Sequence, residues 1–142
     1  MNSCAISKNQ TAMLLRTALN ILEKWSATAE QSCKILRISR SSITRVNQGR
    51  KVRLDIDQLC RASLILNCHA VLRRVFDNPE NIYGFPTMKN HNDFFNGRTP
   101  LEIMAQGDFM PMLETYKRIE ELDSTFSFSD YQYSGLPVHN TR

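Results

Sequence analysis

The side chains best suited to a chemical role lie between positions 40 and 51, and most are basic or carry a hydroxyl group. Arginine can donate two hydrogen bonds to the edge of a guanine, whereas serine and threonine bond either bases or phosphates. This set predicts contact with DNA; the alternative is a solvated polar face on an ordinary helical core. The candidate DNA-binding residues are Arg40, Ser41, Ser42, Thr44, Arg45, Gln48, Arg50 and Lys51.

Charge is divided unevenly along the 142 residues. Residues 1–53 carry ten Lys and Arg against two acidic residues, a balance of +8. Residues 54–142 carry eight basic and twelve acidic residues, a balance of −4. A basic first third joined to an acidic remainder predicts a nucleic-acid-binding module attached to a part with another task.

The sequence lacks recognisable motifs for catalysis, phosphate binding or metal binding. Cysteines 4, 33, 60 and 68 form no Cys-x-x-Cys pair, and histidines 69, 91 and 139 complete no metal-ligand spacing. His91 and Asp93 are close in sequence, but such a pair in a polar loop is weak evidence for catalysis. We expect no enzyme, metal or cofactor, and a small enzyme acting on a nucleotide is disfavoured. Cys33, Cys60 and Cys68 are interpreted as small core residues of a reduced protein.

No segment approaches the ~20 apolar residues that a membrane helix needs. The first ten residues are polar and lack the apolar region of a signal peptide. The sequence therefore predicts a cytoplasmic protein that does not contact a membrane.

The helices that must position the candidate DNA contacts can be read from apolar spacing and capping residues. An apolar stripe predicts a first helix over residues 11–25, with Trp25 as a core anchor. Thr28 and Gln31 have the spacing of a capping box at the start of a second, short helix. Ser39 can cap a third helix over residues 40–47, which Gly49 ends. Two short helices joined by a tight turn predict a helix-turn-helix.

The turn between these two helices contains Arg37 where the motif usually has glycine. If Arg37 adopts the left-handed conformation, the cost is about 1 kcal/mol. Ile38 is expected to fill the turn, and Ile43 and Val46 are expected to face the core.

The rest of the chain also reads as helical. Asp55 and Gln58 predict the start of a fourth helix of about twenty residues, in which Arg73 and Arg74 are interpreted as solvated charges. Pro79 begins one further turn, and residues 85–92 are expected to form a loop. Thr99 and Glu102 predict a capped short helix that Gly107 ends, and Asp108 can cap a last helix that reaches about residue 122.

The predicted fold is all-α, in three parts. Residues 1–53 form a helix-turn-helix DNA-binding domain, residues 54–122 form a small helical domain, and residues 123–142 form an extended tail. The tail has no helical period but contains four of the aromatic residues, although disordered tails are usually poor in aromatics. Either it docks onto a partner or it packs back on its own domain.

Three passages resemble the Xre/MbcA/ParS family of antitoxins. They are the helix-turn-helix over residues 28–46, the segment 54–59 that leads into the long helix, and residues 95–102, Phe-Asn-Gly-Arg-Thr-Pro-Leu-Glu, followed by Gly-Asp at 107–108. The last is similar to the family's Asn/Gly-Gly-Arg-Ser/Thr-Pro-Leu-Glu signature. The resemblance covers about residues 11–122, and Arg37 and the aromatic tail depart from it.

The resemblance implies an antitoxin of a type II toxin–antitoxin system. Such an antitoxin blocks a co-encoded toxin, most often a RES-type protein that consumes NAD in an ADP-ribosyltransferase-like site, and represses the shared promoter. In the family, the C-terminal part of the antitoxin covers the active-site cleft of the toxin. The resemblance therefore implies that residues 54–122 form the toxin-binding or dimerisation domain and that the tail is a candidate plug for the cleft. The candidate toxin-binding residues are Arg98, Tyr116, Phe126, Phe128, Tyr131, Tyr133 and Arg142.

A single small helix-turn-helix rarely binds one site well, so we expect a homodimer on a palindromic operator, within a larger complex with the toxin. The alternative is a stand-alone, phage-type transcriptional regulator whose C-terminal domain only dimerises.

Overall fold

A computed structural model describes residues 7–123, and every regular element in this part of the chain is a helix. The predicted all-α class, with a helix-turn-helix at the N-terminal end, is therefore confirmed. The tail candidates Phe126, Phe128, Tyr131, Tyr133 and Arg142 lie outside the described residues. The helices are α1 (Lys8–Lys24), α2 (Ala29–Leu36), α3 (Arg40–Asn47), α4 (Ile56–Val75), α5 (Pro79–Gly84), α6 (Pro100–Met104) and α7 (Phe109–Glu120), with a 3₁₀ turn at Phe85–Thr87.

Capping boxes fix the start of four helices. The predicted boxes of Thr28, Asp55 and Thr99 are all present, each with reciprocal bonds between the capping side chain and the residue three positions later. A fourth box, formed by Ser7 and Gln10, begins α1 at Lys8, three residues before the predicted start at position 11. The same Ser-x-x-Gln spacing was present in the sequence, so this start could have been found by the same rule.

The long helix α4 forms the centre of the core because it packs against both α1 and α7. Its Ile65 and Leu72 are fully buried, as are Leu22 of α1 and Met112 of α7. Trp25, at the end of α1, has no exposed surface, and its ring centroid lies 6.5 Å from that of His69 on α4. The prediction of Trp25 as a core anchor is confirmed. Among the described helices, none is long and apolar enough to span a bilayer.

Left-handed residues lie in the turns that lead into α3 and α7. Arg37 has φ 57° and ψ 46°, so the condition stated for this arginine is met and its left-handed conformation costs about 1 kcal/mol. Ile38, the next residue, is only 8% exposed and fills the turn as predicted. Gly107, between α6 and α7, has φ 96°, a conformation that strains any residue with a Cβ.

Several local predictions were wrong. Asp108 stands at the start of α7, but its side chain makes no capping hydrogen bond. Cys60 is exposed, since it shares its helix face with the exposed Ile56 one turn earlier. Arg74 is not a simple solvated charge: its Nε lies 2.9 Å from an Asp123 carboxylate oxygen, because the chain returns to the end of α4 after α7. The predicted loop at 85–92 begins with the 3₁₀ turn.

Candidate functional site

One face of α3 packs on the protein and the opposite face is open. Val46 is 1% exposed and Ile43 is half-buried against the core, as predicted. Arg40, Ser41 and Thr44 are exposed on the opposite face. The first turn of α3 is held by Ser39, whose Oγ accepts a hydrogen bond from the Ser42 backbone N–H at 3.1 Å. This arrangement presents the N-terminal half of α3 as a free polar surface.

Two candidate DNA contacts are already bonded to each other. Arg45 Nη2 donates to Ser42 Oγ at 3.3 Å, and both residues are half-buried. Ser42 Oγ also accepts from Ser39 Oγ at 3.1 Å. Thr44 Oγ1 donates to the Arg40 carbonyl at 3.1 Å. Ser42 thus holds the start of the helix, whereas the long, weak bond of Arg45 can be exchanged for another acceptor.

The remaining candidates lie at the C-terminal end of α3, where Gln48, Arg50 and Lys51 are all exposed. Gly49 has φ 77°, and the Arg50 N–H donates back to the Arg45 carbonyl at 2.8 Å. This tight ending places Arg50 and Lys51 directly after the helix.

Sequence reasoning missed two residues of this surface. Asn47 is exposed and lies seven residues after Arg40, two turns along the same helix face, so helical spacing could have found it. Arg16 of α1 donates from Nη2 to the Val46 carbonyl at 3.2 Å and so holds the end of α3. No local pattern signals that bond, because its partners are thirty residues apart.

An ion-pair network ties the turn of the helix-turn-helix to α4. Arg37 Nε lies 2.6 Å from Asp57 Oδ2, and Arg37 Nη2 also pairs with Asp55. Gln58 Nε2 donates to the Arg37 carbonyl at 2.7 Å. The hydrogen bond from Arg37 lowers the pKa of Asp57. The backbone N–H of Gln58, followed by Arg37, lowers the pKa of Asp55, and the two carboxylates raise the pKa of Arg37.

Arg61 extends this network from Asp57 to α2 and to the turn before α7. Its side chain is almost completely buried, and its Nε donates to Asp57 Oδ2 at 2.9 Å. Its Nη1 donates to the Gly107 carbonyl at 2.7 Å and to the Ile35 carbonyl at 3.3 Å. A single guanidinium group therefore joins α2, α4 and the turn before α7.

The two described candidates for toxin binding are in different settings. Arg98 is exposed, but its Nε and Nη2 donate to the carbonyls of Phe95 and Phe94, both at 2.9 Å. It also lines a groove beside α6 and α7, which Tyr116 does not line. The Tyr116 hydroxyl donates to Glu120 at 3.0 Å, and partial burial raises the pKa of the phenol. The structure therefore does not join Arg98 and Tyr116 in one site.

Residues 5–67, somewhat less than half of the chain, match the family model described as "Antitoxin Xre-like helix-turn-helix domain". The match covers α1, α2, α3 and the first half of α4, which are the elements that carry and support the open face. No curated protein and no solved structure matches the chain. The match supports a DNA-binding antitoxin or regulator of the Xre type, a class of protein that is not typically enzymatic.

Proposed function

We propose that this protein is the antitoxin of a type II toxin–antitoxin system that represses its own promoter. The family match over residues 5–67, on a helix-turn-helix in which α3 has one open, polar face, is the observation that carries the proposal. The excess of positive charge in residues 1–53 also supports it, because a protein that binds DNA must neutralise backbone phosphates.

In the proposed complex with DNA, the N-terminal half of α3 enters the major groove of the operator. Arg40, Ser41 and Thr44 are exposed there and contact base edges. Arg45 exchanges its bond to Ser42 for the edge of a guanine. Gln48, Arg50 and Lys51 contact phosphates, and Ser42 supports the helix. Two copies of the chain bind the two halves of a palindrome.

We propose that the toxin is a RES-type or related protein with an ADP-ribosyltransferase-like site that consumes NAD, and that residues 54–122 hold it. The similarity of residues 95–102 to the family signature supports this assignment. Arg98 is exposed beside an apolar groove and Tyr116 is partly exposed, so both are accessible to a partner. The tail residues Phe126, Phe128, Tyr131, Tyr133 and Arg142 are proposed to enter or border the toxin cleft.

Co-expression with the product of the adjacent reading frame tests the proposal. We expect the full chain to relieve the growth arrest that this product causes, and to retain it in a pull-down. A chain without residues 124–142 should still fold and bind DNA, because it keeps the buried apolar residues from Leu15 to Ile119. It should lose neutralisation, because the proposed plug of the toxin cleft is gone. Full neutralisation by the shortened chain would remove the tail from the mechanism.

The two activities can be separated with an α3 variant. Arg40→Ala with Arg45→Ala should abolish operator binding and leave neutralisation intact, because both residues belong to α3 and neither lies in residues 54–122, which are proposed to hold the toxin. If the full chain binds its operator but neither retains nor neutralises the neighbouring product, the protein is a stand-alone regulator, and the antitoxin proposal is wrong.

A further inference from the structure

A groove of about 370 Å³ lies beside α6 and α7, with the proposed toxin contact Arg98 at its edge. Its apolar lining comes from Phe94, Ile103, Met110 and Pro111, and Arg98 and Glu114 stand at its polar edge. Met110 is 66% exposed, although it is a large apolar side chain in the first turn of α7. Exposed apolar surface edged by charges is typical of a binding site, and methionine adapts to the shape of its partner.

The polar edge of the groove is held in position before anything binds. Arg98 donates two hydrogen bonds to the carbonyls of Phe94 and Phe95, and Arg118 lies over the Phe94 ring at 5.4 Å. The orientation of the Arg98 guanidinium is therefore set by its own turn, and an acidic group that binds there avoids much of the entropy cost of ordering it.

The chain leaves the described part close enough to reach this groove. Asp123 is anchored by Arg74 at 2.9 Å and its side chain is 3% exposed, so the position of the chain at residue 123 is fixed. At 1.5 Å per residue, Met110 lies about 20 Å back along α7 from there. At about 3.3–3.6 Å per extended residue, Tyr131 and Tyr133 can cover that distance, whereas Phe126 cannot.

Residues 124–142 also match the groove in chemistry. Their aromatic side chains are separated by polar residues, and their only charged side chains are those of Asp130 and Arg142. Aromatic rings pack favourably on the thioether of methionine. Asp130 directly precedes Tyr131, and its carboxylate is complementary to Arg98.

We infer that the groove binds this chain's own C-terminal segment, with Tyr131 and Tyr133 against Met110 and Asp130 beside Arg98. The inference does not depend on the identity of the toxin. It adds a step to the proposed function, since a toxin that binds the C-terminal segment in its cleft must first displace this segment from the groove.

Methyl NMR of the full chain labelled at the methionine ε-carbons tests this contact. We expect the ring currents of the two tyrosines to shift the Met110 methyl resonance. Tyr131→Ala with Tyr133→Ala should return that resonance toward the position of a solvent-exposed methyl. The methyl of Met13, which is 68% exposed on α1, should not move, and unchanged resonances of the buried Met104 and Met112 report an intact fold.

Phe126→Ala is the matched control, because the chain is too short for Phe126 to reach Met110. A Met110 resonance that is the same with and without Tyr131 and Tyr133 would overturn the inference. A shift that grows with protein concentration would also overturn it, because the segment would then come from a second copy. Loss of the shift on adding the purified toxin would support the displacement step.

Discussion

The guanidinium of Arg45 in α3 bonds the side chain of Ser42, which is another candidate DNA contact. Its bond to Ser42 Oγ is 3.3 Å long and therefore weak. We predict that Arg45→Ala lowers the affinity for the specific operator by ~1–3 kcal/mol, because the alanine cannot donate two hydrogen bonds to a guanine. A gel-shift assay at fixed salt, with the operator and a scrambled duplex, measures the difference.

The matched control for Arg45 is Arg73→Ala. Arg73 is exposed near the end of α4, so this variant loses the same charge outside the open face. Equal losses of operator affinity in both variants would show that Arg45 acts only through net charge. If neither variant loses affinity, Arg45 does not contact the bases.

Asp57 gives the stability of the protein a defined dependence on pH. Arg37 and then Arg61 bond its carboxylate and lower its pKa below the ordinary 3.8. A group whose pKa is lower in the folded state stabilises that state above the unfolded pKa. This contribution is lost as the pH falls through the folded pKa. We therefore predict that the urea midpoint falls as the pH is lowered from about 6 to about 3.

Asp57→Asn tests the assignment, because asparagine has no charge to titrate. The variant should be less stable at neutral pH and should lose less stability on acidification than the parent chain. Asp93→Asn is the control, since Asp93 is exposed in the loop before α6. If Asp57→Asn shows the full acid loss, the dependence originates in other carboxyls.

At the scale of elements, the side chain of Arg61 connects α4 to α2 and to the turn before α7. Arg61→Met keeps the length of the side chain but removes the donors to Asp57 and to the carbonyls of Ile35 and Gly107. A hydrogen bond with a charged partner contributes about 1.5–3 kcal/mol, and a buried carbonyl left without a donor adds to the loss. We predict a loss of about 2–4 kcal/mol in the free energy of unfolding, measured by urea denaturation.

Arg73→Met, on the exposed face of the same helix, should change the stability little. A loss of stability at Arg61 no larger than at Arg73 would contradict the role of the buried guanidinium. Protection of the α3 amides in hydrogen exchange should fall in the Arg61 variant, because Arg61 bonds the carbonyl of Ile35 just before the turn that leads into α3.

Capping residues and helical spacing predicted most of the helix starts. The features that they could not predict depend on contacts between residues far apart in the sequence. Thr28, Asp55 and Thr99 could be identified from a spacing of three residues, since a capping box is closed within one turn. Arg61 could not, because its carbonyl partners lie 26 and 46 residues away and any residue type has a carbonyl. The pairing of Arg74 with Asp123 likewise depends on how the chain returns after α7.

The sequence also indicated part of the candidate DNA-binding surface. Arg40, Ser41 and Thr44, chosen as polar residues of the predicted third helix, are exposed in the structure, whereas their contact with DNA stays a prediction. Helical spacing could not reveal that Arg45 and Ser42 bond each other, since rotamers and not periodicity decide that contact. The groove beside Arg98 is formed by residues from position 94 to position 114, so no short sequence motif predicts it.

At the scale of the whole molecule, the separation of charge predicts how DNA binding responds to salt. The basic balance of residues 1–53 implies the release of several counterions on binding. We predict that Lys51→Ala weakens binding to all sequences alike and reduces the slope of log Kobs against log salt by about 1. Titrations of the same duplex at several salt concentrations measure this slope.

Lys117→Ala removes the same charge from α7, in the acidic part of the chain, and should leave the slope unchanged. If both variants reduce the slope equally, the phosphate contacts are not confined to the helix-turn-helix. If Lys51→Ala discriminates between sequences, Lys51 contacts bases rather than phosphates.

The single tryptophan of the chain gives the protein an intrinsic optical label. Trp25 is completely buried at the end of α1, where it lies near His69 of α4. Its fluorescence therefore responds to the contact between α1 and α4. Stopped-flow fluorescence of the unlabelled chain can consequently time the burial of Trp25 in the core during folding.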